Sequence, residues 1–183
     1  MESFAEYILN ENNYFKKIEI AYYLHKKANT FFDKSVICKA ELARMFIETM
    51  SLDVDENLII TACLLYASKK INCTTDLEKI KFYAKDGAEY LSEFGFNERF
   101  CRICEGVNRY SGLEPREPES DILELVDNLG ALLLNGEEKA SQGIKNAMEL
   151  LLNENLKDVE NQYINEFKEF IYKEEGVMIN ASN

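Results

Sequence analysis

Apolar residues recur at intervals of three and four along most of the chain, the spacing of one face of an α-helix. In the first helical region, about Phe4 to Thr30, this pattern is interrupted at residues 10–13, where polar residues with low helix propensity predict a cap for the following helix. A second helix is predicted from about Asp33 to Met50. Its predicted buried side consists of Val36, Ala40, Ala43, Phe46, Ile47 and Met50.

The next helix has a different pattern, because its segment from Leu58 to Ala67 is apolar on nearly all sides. Such a helix belongs in the middle of a domain. Residues 53–55, Asp-Val-Asp, supply hydrogen-bond acceptors and negative charge at its start. Residues 75–78 form a capping-box pattern that predicts the start of another helix, and Gly95 separates that helix from one beginning at Asn97.

A connection rich in proline and glycine, residues 111–118, precedes the last helices. Ser120 or Asp121 is predicted to cap a helix that runs to Leu134 and ends at residues 135–136, Asn-Gly. Two more helices, about 137–152 and 156–174, are predicted to form a hairpin. Its apolar residues include Leu150, Leu151, Tyr163, Ile164, Phe167, Phe170 and Ile171. This apolar surface predicts a dimer or another complex, and the alternative is that the hairpin closes the core.

The composition supports an all-α fold. Two prolines and eight glycines in 183 residues are few for the turns of a strand-rich protein, and no segment alternates like a strand. We expect one helical domain over residues 1–183. It would have a core at about residues 33–134, N-terminal helices at 4–30 and the C-terminal helical hairpin at 137–174.

The formal net charge of −12 narrows the range of partners. Binding to a nucleic-acid backbone requires a basic stripe, which the chain lacks, and anionic membrane surfaces would repel it. There is neither a long apolar run that could span a bilayer nor a basic and apolar leader. We therefore expect a cytoplasmic protein that binds no nucleic acid and no membrane.

The cysteines and the single histidine offer little chemistry. Five cysteines at positions 38, 63, 73, 101 and 104 predict reduced thiols rather than disulfides. Cys101 and Cys104 have no second cysteine pair and only His25 as a possible companion, so core or subsurface cysteines are favoured over a zinc or redox site. A Ser-His or Cys-His catalytic pair and a glycine-rich phosphate loop are also lacking.

Two segments carry a resemblance to a known class of enzymes. Residues 64–70, Leu-Leu-Tyr-Ala-Ser-Lys-Lys, resemble the Leu-Leu-His-Asp-Ile-Gly-Lys signature of HD-domain metal-dependent phosphohydrolases, with Tyr66 and Ala67 replacing the His-Asp pair. Residues 83–91 are similar to the His-Pro-x-x-Gly-Ala-x-x-Leu stretch of the HD-GYP branch, with Tyr83 in place of a histidine ligand.

Three further segments resemble parts of the same class of enzymes. Residues 106–112 are similar to His-His-Glu-Arg-Tyr-Asp-Gly, but Gly106, Val107 and Asn108 replace the two histidines and the glutamate. Residues 125–132 are similar to Val-Ala-Asp-x-x-Asp-Ala-Leu, and Asp127 matches the last aspartate ligand. Lys34 precedes Ser35 where HD-GYP proteins have a His-Ser pair. The Gly-Tyr-Pro motif is missing after Gly112, so the resemblance extends equally to HD proteins in general and to the non-catalytic HDOD class.

The resemblance implies an HD-domain-like helical bundle without metal ligands, catalytic residues or a cofactor. We call the seven positions that correspond to metal-site residues the vestigial positions: Lys34, Tyr66, Ala67, Tyr83, Val107, Asn108 and Asp127. The leading hypothesis is a pseudoenzyme that serves as a regulatory or protein-interaction module, with a partner protein or an anionic small ligand. The alternatives are a metal-dependent phosphohydrolase or phosphodiesterase with an atypical site, and a helical oligomerisation module.

The resemblance also predicts one contact. Asp127 would point into the former metal pocket, where an unpaired buried carboxylate would cost several kcal/mol or take up a proton. Lys34 is the nearest predicted cation, with the Tyr66 or Tyr83 hydroxyl as a further donor and Lys70 as the fallback.

Overall fold

In the computed structural model of the chain, the structure describes residues 3–29, 31–71, 75–134 and 143–181. Within these ranges every regular element is helical, which confirms the all-α prediction. The α-helices are Phe4–Asn10 (α1), Tyr14–Ala28 (α2), Ser35–Met50 (α3), Glu56–Leu65 (α4), Leu77–Glu93 (α5), Glu98–Glu105 (α6), Pro118–Leu134 (α7), Gly143–Leu150 (α8) and Ile164–Ala181 (α9). A short π-helical segment, Leu151–Asn155, follows α8.

Side-chain caps determine where several helices begin. Asn13, Asp55 and Asn97 accept hydrogen bonds from the first turns of α2, α4 and α6, as the sequence predicts. Two predicted caps differ from the structure. Helix α5 begins within the predicted residues 75–78, but its cap is Asp76 rather than Thr75, and the Asp76 carboxylate accepts from two backbone amides. Helix α7 starts at Pro118, before Ser120 and Asp121, because proline needs no hydrogen-bond acceptor in a first turn.

Helix α4 lies at the centre of the fold, as its apolar pattern predicts. Every residue from Ile59 to Leu65 is buried, and α4 contacts α1, α2, α3, α6 and α7. The chain stays buried past the end of α4 through Tyr66, Ala67 and Ser68. The first five residues of the segment that resembles the HD signature, 64–68, therefore lie inside the protein.

Helix α5 approaches this buried turn closely at Gly87. A Cβ atom at Gly87 would lie 2.6 Å from the carbonyl oxygen of Tyr66. Because glycine has no Cβ, α5 can pack directly against the backbone of the turn. This approach places Tyr83 beside Tyr66, with ring centroids 6.2 Å apart.

The C-terminal helices close the core. Leu151, Phe167, Phe170 and Ile171 are buried, and the rings of Phe167 and Phe170 lie 4.8 and 5.4 Å from that of Phe46. The interpretation of these side chains as surplus interface surface was therefore wrong.

The bounds of the predicted hairpin also differ from the structure. Its second helix begins at Ile164 rather than near Leu156, since residues 156–163 form turns and irregular chain. The predicted helix end at residues 135–136, the start of the hairpin at 137 and Cys73 lie outside the described residues. Among the described helices, none is long and apolar enough to cross a membrane.

Candidate functional site

Asp127 lies on α7 in an apolar surrounding. Its helix neighbours Leu123, Val126 and Leu129 are all buried, while 17% of the Asp127 side chain is exposed. A carboxylate in this position requires compensating donors. The structure supplies three of them, each from a different helix or turn.

Lys39 of α3 is the first donor. Its side chain is 2% exposed, and Nζ lies 2.6 Å from Oδ1 of Asp127. The aliphatic part of Lys39 crosses α7 at Gly130, where a Cβ would lie 2.7 Å from Lys39 Cγ. A side chain at position 130 would therefore obstruct the path of the lysine.

The other two donors are tyrosine hydroxyls. Tyr66 accepts a hydrogen bond of 3.1 Å from Lys39 Nζ and donates to Oδ1 of Asp127. The Tyr83 hydroxyl donates to Oδ2 at 3.5 Å. Burial, followed by the charge of Asp127, raises the pKa of both phenols well above their usual range, so both remain protonated donors.

Asn108 lies beside Tyr83. It opposes the effect of burial on the pKa of Tyr83, and its Nδ2 donates to the carbonyl oxygen of Lys81 at 3.4 Å. We call Lys39, Tyr66, Tyr83, Asn108 and Asp127 the Asp127 cluster. Ala67 and Val107, the remaining buried vestigial positions, are part of the hydrophobic core.

The predicted pairing was correct for both tyrosines and wrong for the cation. Lys34 is exposed at the N-terminal end of α3. It lies five residues before Lys39, and five residues are not a whole number of helical turns, so its side chain points away from the interior that Lys39 enters. Lys70, the predicted fallback, binds Asp33 at 2.7 Å instead. Burial opposes ionisation of Asp33, but hydrogen bonds from Lys70 and Ser35 outweigh it and lower the pKa of this carboxyl to about 2.

A sequence signal for Lys39 existed. Lys39 lies three residues after Val36 and four before Ala43, and both belong to the predicted buried face of α3. A lysine in such a stripe is placed to enter the core, where it requires an anionic partner. The pattern of apolar residues could therefore have identified it as the partner of Asp127.

The cluster leaves little room for metal chemistry. Oδ1 of Asp127 is shared by Lys39 and Tyr66, and no group of three or more histidine, cysteine or acidic side chains in the described ranges could hold a metal ion. His25 is buried and bonds the Leu64 carbonyl oxygen through Nε2 at 2.9 Å. Burial lowers its pKa, so the imidazole is neutral at pH 7.

The cysteines of the described ranges are all free thiols. Cys104 is buried and Cys101 is half-buried, which agrees with the prediction of core or subsurface cysteines at these two positions. Cys63 is also buried, and Cys38 is exposed. Burial raises the pKa of Cys101 and Cys104, so both remain protonated and poorly nucleophilic.

Arg109, one of the residues that match the HD-like segment, forms a separate polar group. Its guanidinium makes two hydrogen bonds to Glu124, of 2.8 and 2.9 Å, and a third to the carbonyl oxygen of Glu160 at 2.7 Å. Arg116 binds the same carboxylate at 3.3 Å and Asp121 at 3.1 Å. This ion-pair network joins the loop before α7 to α7 and to the chain before α9.

Comparisons of the chain with protein-family models, with curated proteins and with solved structures gave no match.

Proposed function

We propose that the chain is an HD-domain-like helical bundle without the metal chemistry of that class, and that it acts as a regulatory or protein-interaction module. The contact that carries the proposal is the ion pair between Lys39 and Asp127. In the HD-like register Asp127 is the last aspartate ligand, and the Lys39 ammonium takes the place of the metal charge. An ammonium ion balances the carboxylate, but it cannot bind and activate water as a metal does.

Four vestigial positions support this register. Tyr66, Tyr83, Asn108 and Asp127 come from four separate segments, yet both tyrosine hydroxyls donate to Asp127 and Asn108 lies beside Tyr83. The resemblance predicts that these positions converge, because the corresponding residues of an HD enzyme would surround its metal site. The exposed position of Lys34 is the exception.

The experiment combines metal analysis with an activity screen. The protein is purified without chelators, its metal content is measured, and bis(p-nitrophenyl) phosphate, nucleoside phosphates and cyclic dinucleotides are offered with Mg²⁺, Mn²⁺, Zn²⁺ or Fe²⁺. We expect substoichiometric metal and no turnover. Asp127→Asn serves as the control, since activity from a contaminating enzyme would persist in this variant. Turnover that both a chelator and Asp127→Asn abolish would support the alternative of an atypical phosphohydrolase.

An exposed aromatic surface supports the interaction role. Phe15 and Tyr23 of α2 are 81% and 65% exposed, and Tyr22 beside them is 43% exposed. Their separation of seven and eight residues places them along one side of α2. Exposed aromatic side chains in such a row are typical of a surface that binds another protein.

Self-association through this surface is tested by light scattering over a range of micromolar concentrations. A dimer that dissociates in Phe15→Ser, but not in a variant of another exposed position such as Lys85→Ser, would support the oligomerisation alternative. A strict monomer would count against it and leave the heterologous partner as the proposal.

A further inference from the structure

Lys17 of α2 is buried without an acidic partner. The residue is 2% exposed, its Nζ donates to the Thr61 hydroxyl, and the carbonyl oxygen of Asn57 lies at the 3.5 Å limit. Within the described ranges no carboxylate forms an ion pair with it. An ammonium ion has three donors and a full charge, so two neutral acceptors leave one donor unused and the charge without an ion pair.

This lysine lines a cavity of about 420 Å³ between α2, α3 and the start of α4. The neutral polar residues around the cavity are Asn12, Tyr14 and Asn57, and Ile60 adds an apolar wall. We call this space the head cavity.

The other charged residues that line the head cavity are Glu41, Arg44 and Glu56. Arg44 binds Glu41 and, at 2.8 Å, Glu48, so two carboxylates share its single positive charge. Glu56 is half-buried in the first turn of α4. Asp55 and Glu11 act on Lys17 electrostatically without an ion pair. Because Glu56 would repel a doubly charged group, the cavity suits a monoanion better than a phosphate dianion.

An apolar groove adjoins the head cavity, and Tyr14 and Glu41 line both spaces. The groove has a volume of about 620 Å³ and runs along α3. Its remaining lining residues are Lys34, Ile37, Cys38, Leu42 and Met45. We call it the tail groove. A buried cation next to an apolar groove is complementary to a molecule with one charged and one apolar end.

We propose that the head cavity and the tail groove form one binding site for a small amphipathic carboxylate, with its carboxylate on Lys17 and its alkyl chain against Ile37, Leu42 and Met45. The carboxylate completes the donors of the buried ammonium ion, and the alkyl chain covers apolar surface that α3 leaves open. Residues of the Asp127 cluster line neither space, so this site does not depend on the HD-like register.

Calorimetric titration with octanoate below its micelle concentration tests the proposal. Octanol provides the chain without the charge, and acetate provides the charge without the chain. We expect octanoate to bind with a stoichiometry of one and each comparison ligand to bind about tenfold more weakly or worse. Equal affinity for octanol would remove the role of Lys17, and equal affinity for acetate would remove the role of the tail groove. An absence of octanoate binding would overturn the whole site.

Matched variants locate the site. Lys17→Met should weaken octanoate binding about tenfold, and Leu42→Asp should weaken it similarly by placing a charge in the groove. Lys16→Met is the control, because Lys16 is the adjacent lysine and its side chain is 56% exposed. Thermal unfolding of each variant establishes that it is folded. If Lys17→Met binds like wild type, octanoate binds elsewhere and the proposal is wrong.

The pH dependence provides a readout on the wild-type protein. Burial, opposed by Asp55 and Glu11, lowers the pKa of Lys17 to about 8. Octanoate stays ionised throughout the neutral and alkaline range, so its binding should weaken as pH rises through about 8 and Lys17 loses its charge. In the NMR titration of the lysine Nζ groups, octanoate should raise the pKa of Lys17. Affinity that is constant over this range would contradict binding to the ammonium ion.

Discussion

Lys17 and Lys39 are buried to nearly the same extent, with 2% and 1% of each residue exposed, but their partners differ. Lys39 binds the Asp127 carboxylate and the Tyr66 hydroxyl, whereas Lys17 has a hydroxyl and a distant carbonyl. A buried ammonium ion depends on its partner for most of its stability. Mutations at these two lysines should therefore have opposite effects on the free energy of unfolding.

The first prediction concerns Asp127. Asp127→Ala leaves the Lys39 ammonium buried without an anion, and should lower the free energy of unfolding by about 3–5 kcal/mol. Urea denaturation measures the change. Removing both charges in Lys39→Met/Asp127→Leu should restore much of the loss, because an apolar pair leaves no uncompensated charge. Lys34→Met, at the exposed end of α3, should change stability by less than about 0.5 kcal/mol. Equal effects of Asp127→Ala and Lys34→Met would contradict the buried pair.

The second prediction concerns Lys17. Burial lowers the pKa of Lys17 from 10.5 to about 8, so protonated Lys17 reduces the stability of the folded state at neutral pH. Lys17→Met, which is similar in size, should raise the free energy of unfolding at pH 7 by up to about 3 kcal/mol.

The sign of the pH dependence follows from the same shift. Between pH 8 and pH 10.5 the unfolded chain binds more protons at Lys17 than the folded protein, so wild-type stability should rise with pH in this window. The difference between Lys17→Met and wild type should shrink over the same window. Lys16→Met serves again as the exposed control. A difference that stays constant up to pH 10.5 would mean that Lys17 is not desolvated.

At the scale of the helices, the contact between α5 and the turn after α4 positions Tyr83. The substitution Gly87→Ala should favour the helix by about 1 kcal/mol in an isolated peptide. In the protein, however, the new Cβ would lie 2.6 Å from a backbone oxygen that cannot rotate away. We expect a net destabilisation of about 1–3 kcal/mol, measured by thermal or urea unfolding. Lys85→Ala, on the exposed side of α5, should have little effect, and a stabilised Gly87→Ala would refute the close approach.

Sequence patterns predicted the helices where local interactions determine them. Caps such as Asn13 and Asn97 act within their own first turn, and the apolar surface of α4 identifies it as central whatever surrounds it. The start of α9 was missed because residues 156–163 are fixed by distant partners: Asp121 binds the Gln162 amide, and Asn161 binds the Asp121 carbonyl.

The candidate site was predictable in part for the same reason. The resemblance brought Tyr66 and Tyr83 together with Asp127, but the identity of the cation depends on which lysine of α3 points inward. That direction follows from helical geometry rather than from alignment with a motif. Lys39 also requires Gly130 on the facing helix, a relation between two distant positions that no local pattern contains.

At the scale of the whole molecule, the network of Arg109, Arg116, Asp121 and Glu124 connects segments far apart in the sequence. Glu124 is at its centre, with a side chain that is 4% exposed and bound by both arginines. Asn161, before α9, also donates to this carboxylate at 3.1 Å. The network therefore fixes the chain before α9 against α7. Its two arginines are paired with acidic side chains in a chain whose net charge is −12.

The last prediction tests this connection. Glu124→Ala leaves two arginines without their shared anion, and it should lower the free energy of unfolding by about 2–4 kcal/mol, since partly exposed Arg109 is screened by water. Glu41→Ala is the matched control: it breaks the exposed Arg44 pair and should cost less than about 1 kcal/mol. In Glu124→Ala, hydrogen exchange should also quicken at the amides of Gln162 and Tyr163, which the network holds in place. The amides of central α4 should exchange faster only as far as the lower free energy of global unfolding requires. If the two substitutions destabilise the protein equally, or if the amides before α9 exchange as in wild type, the network does not hold this segment.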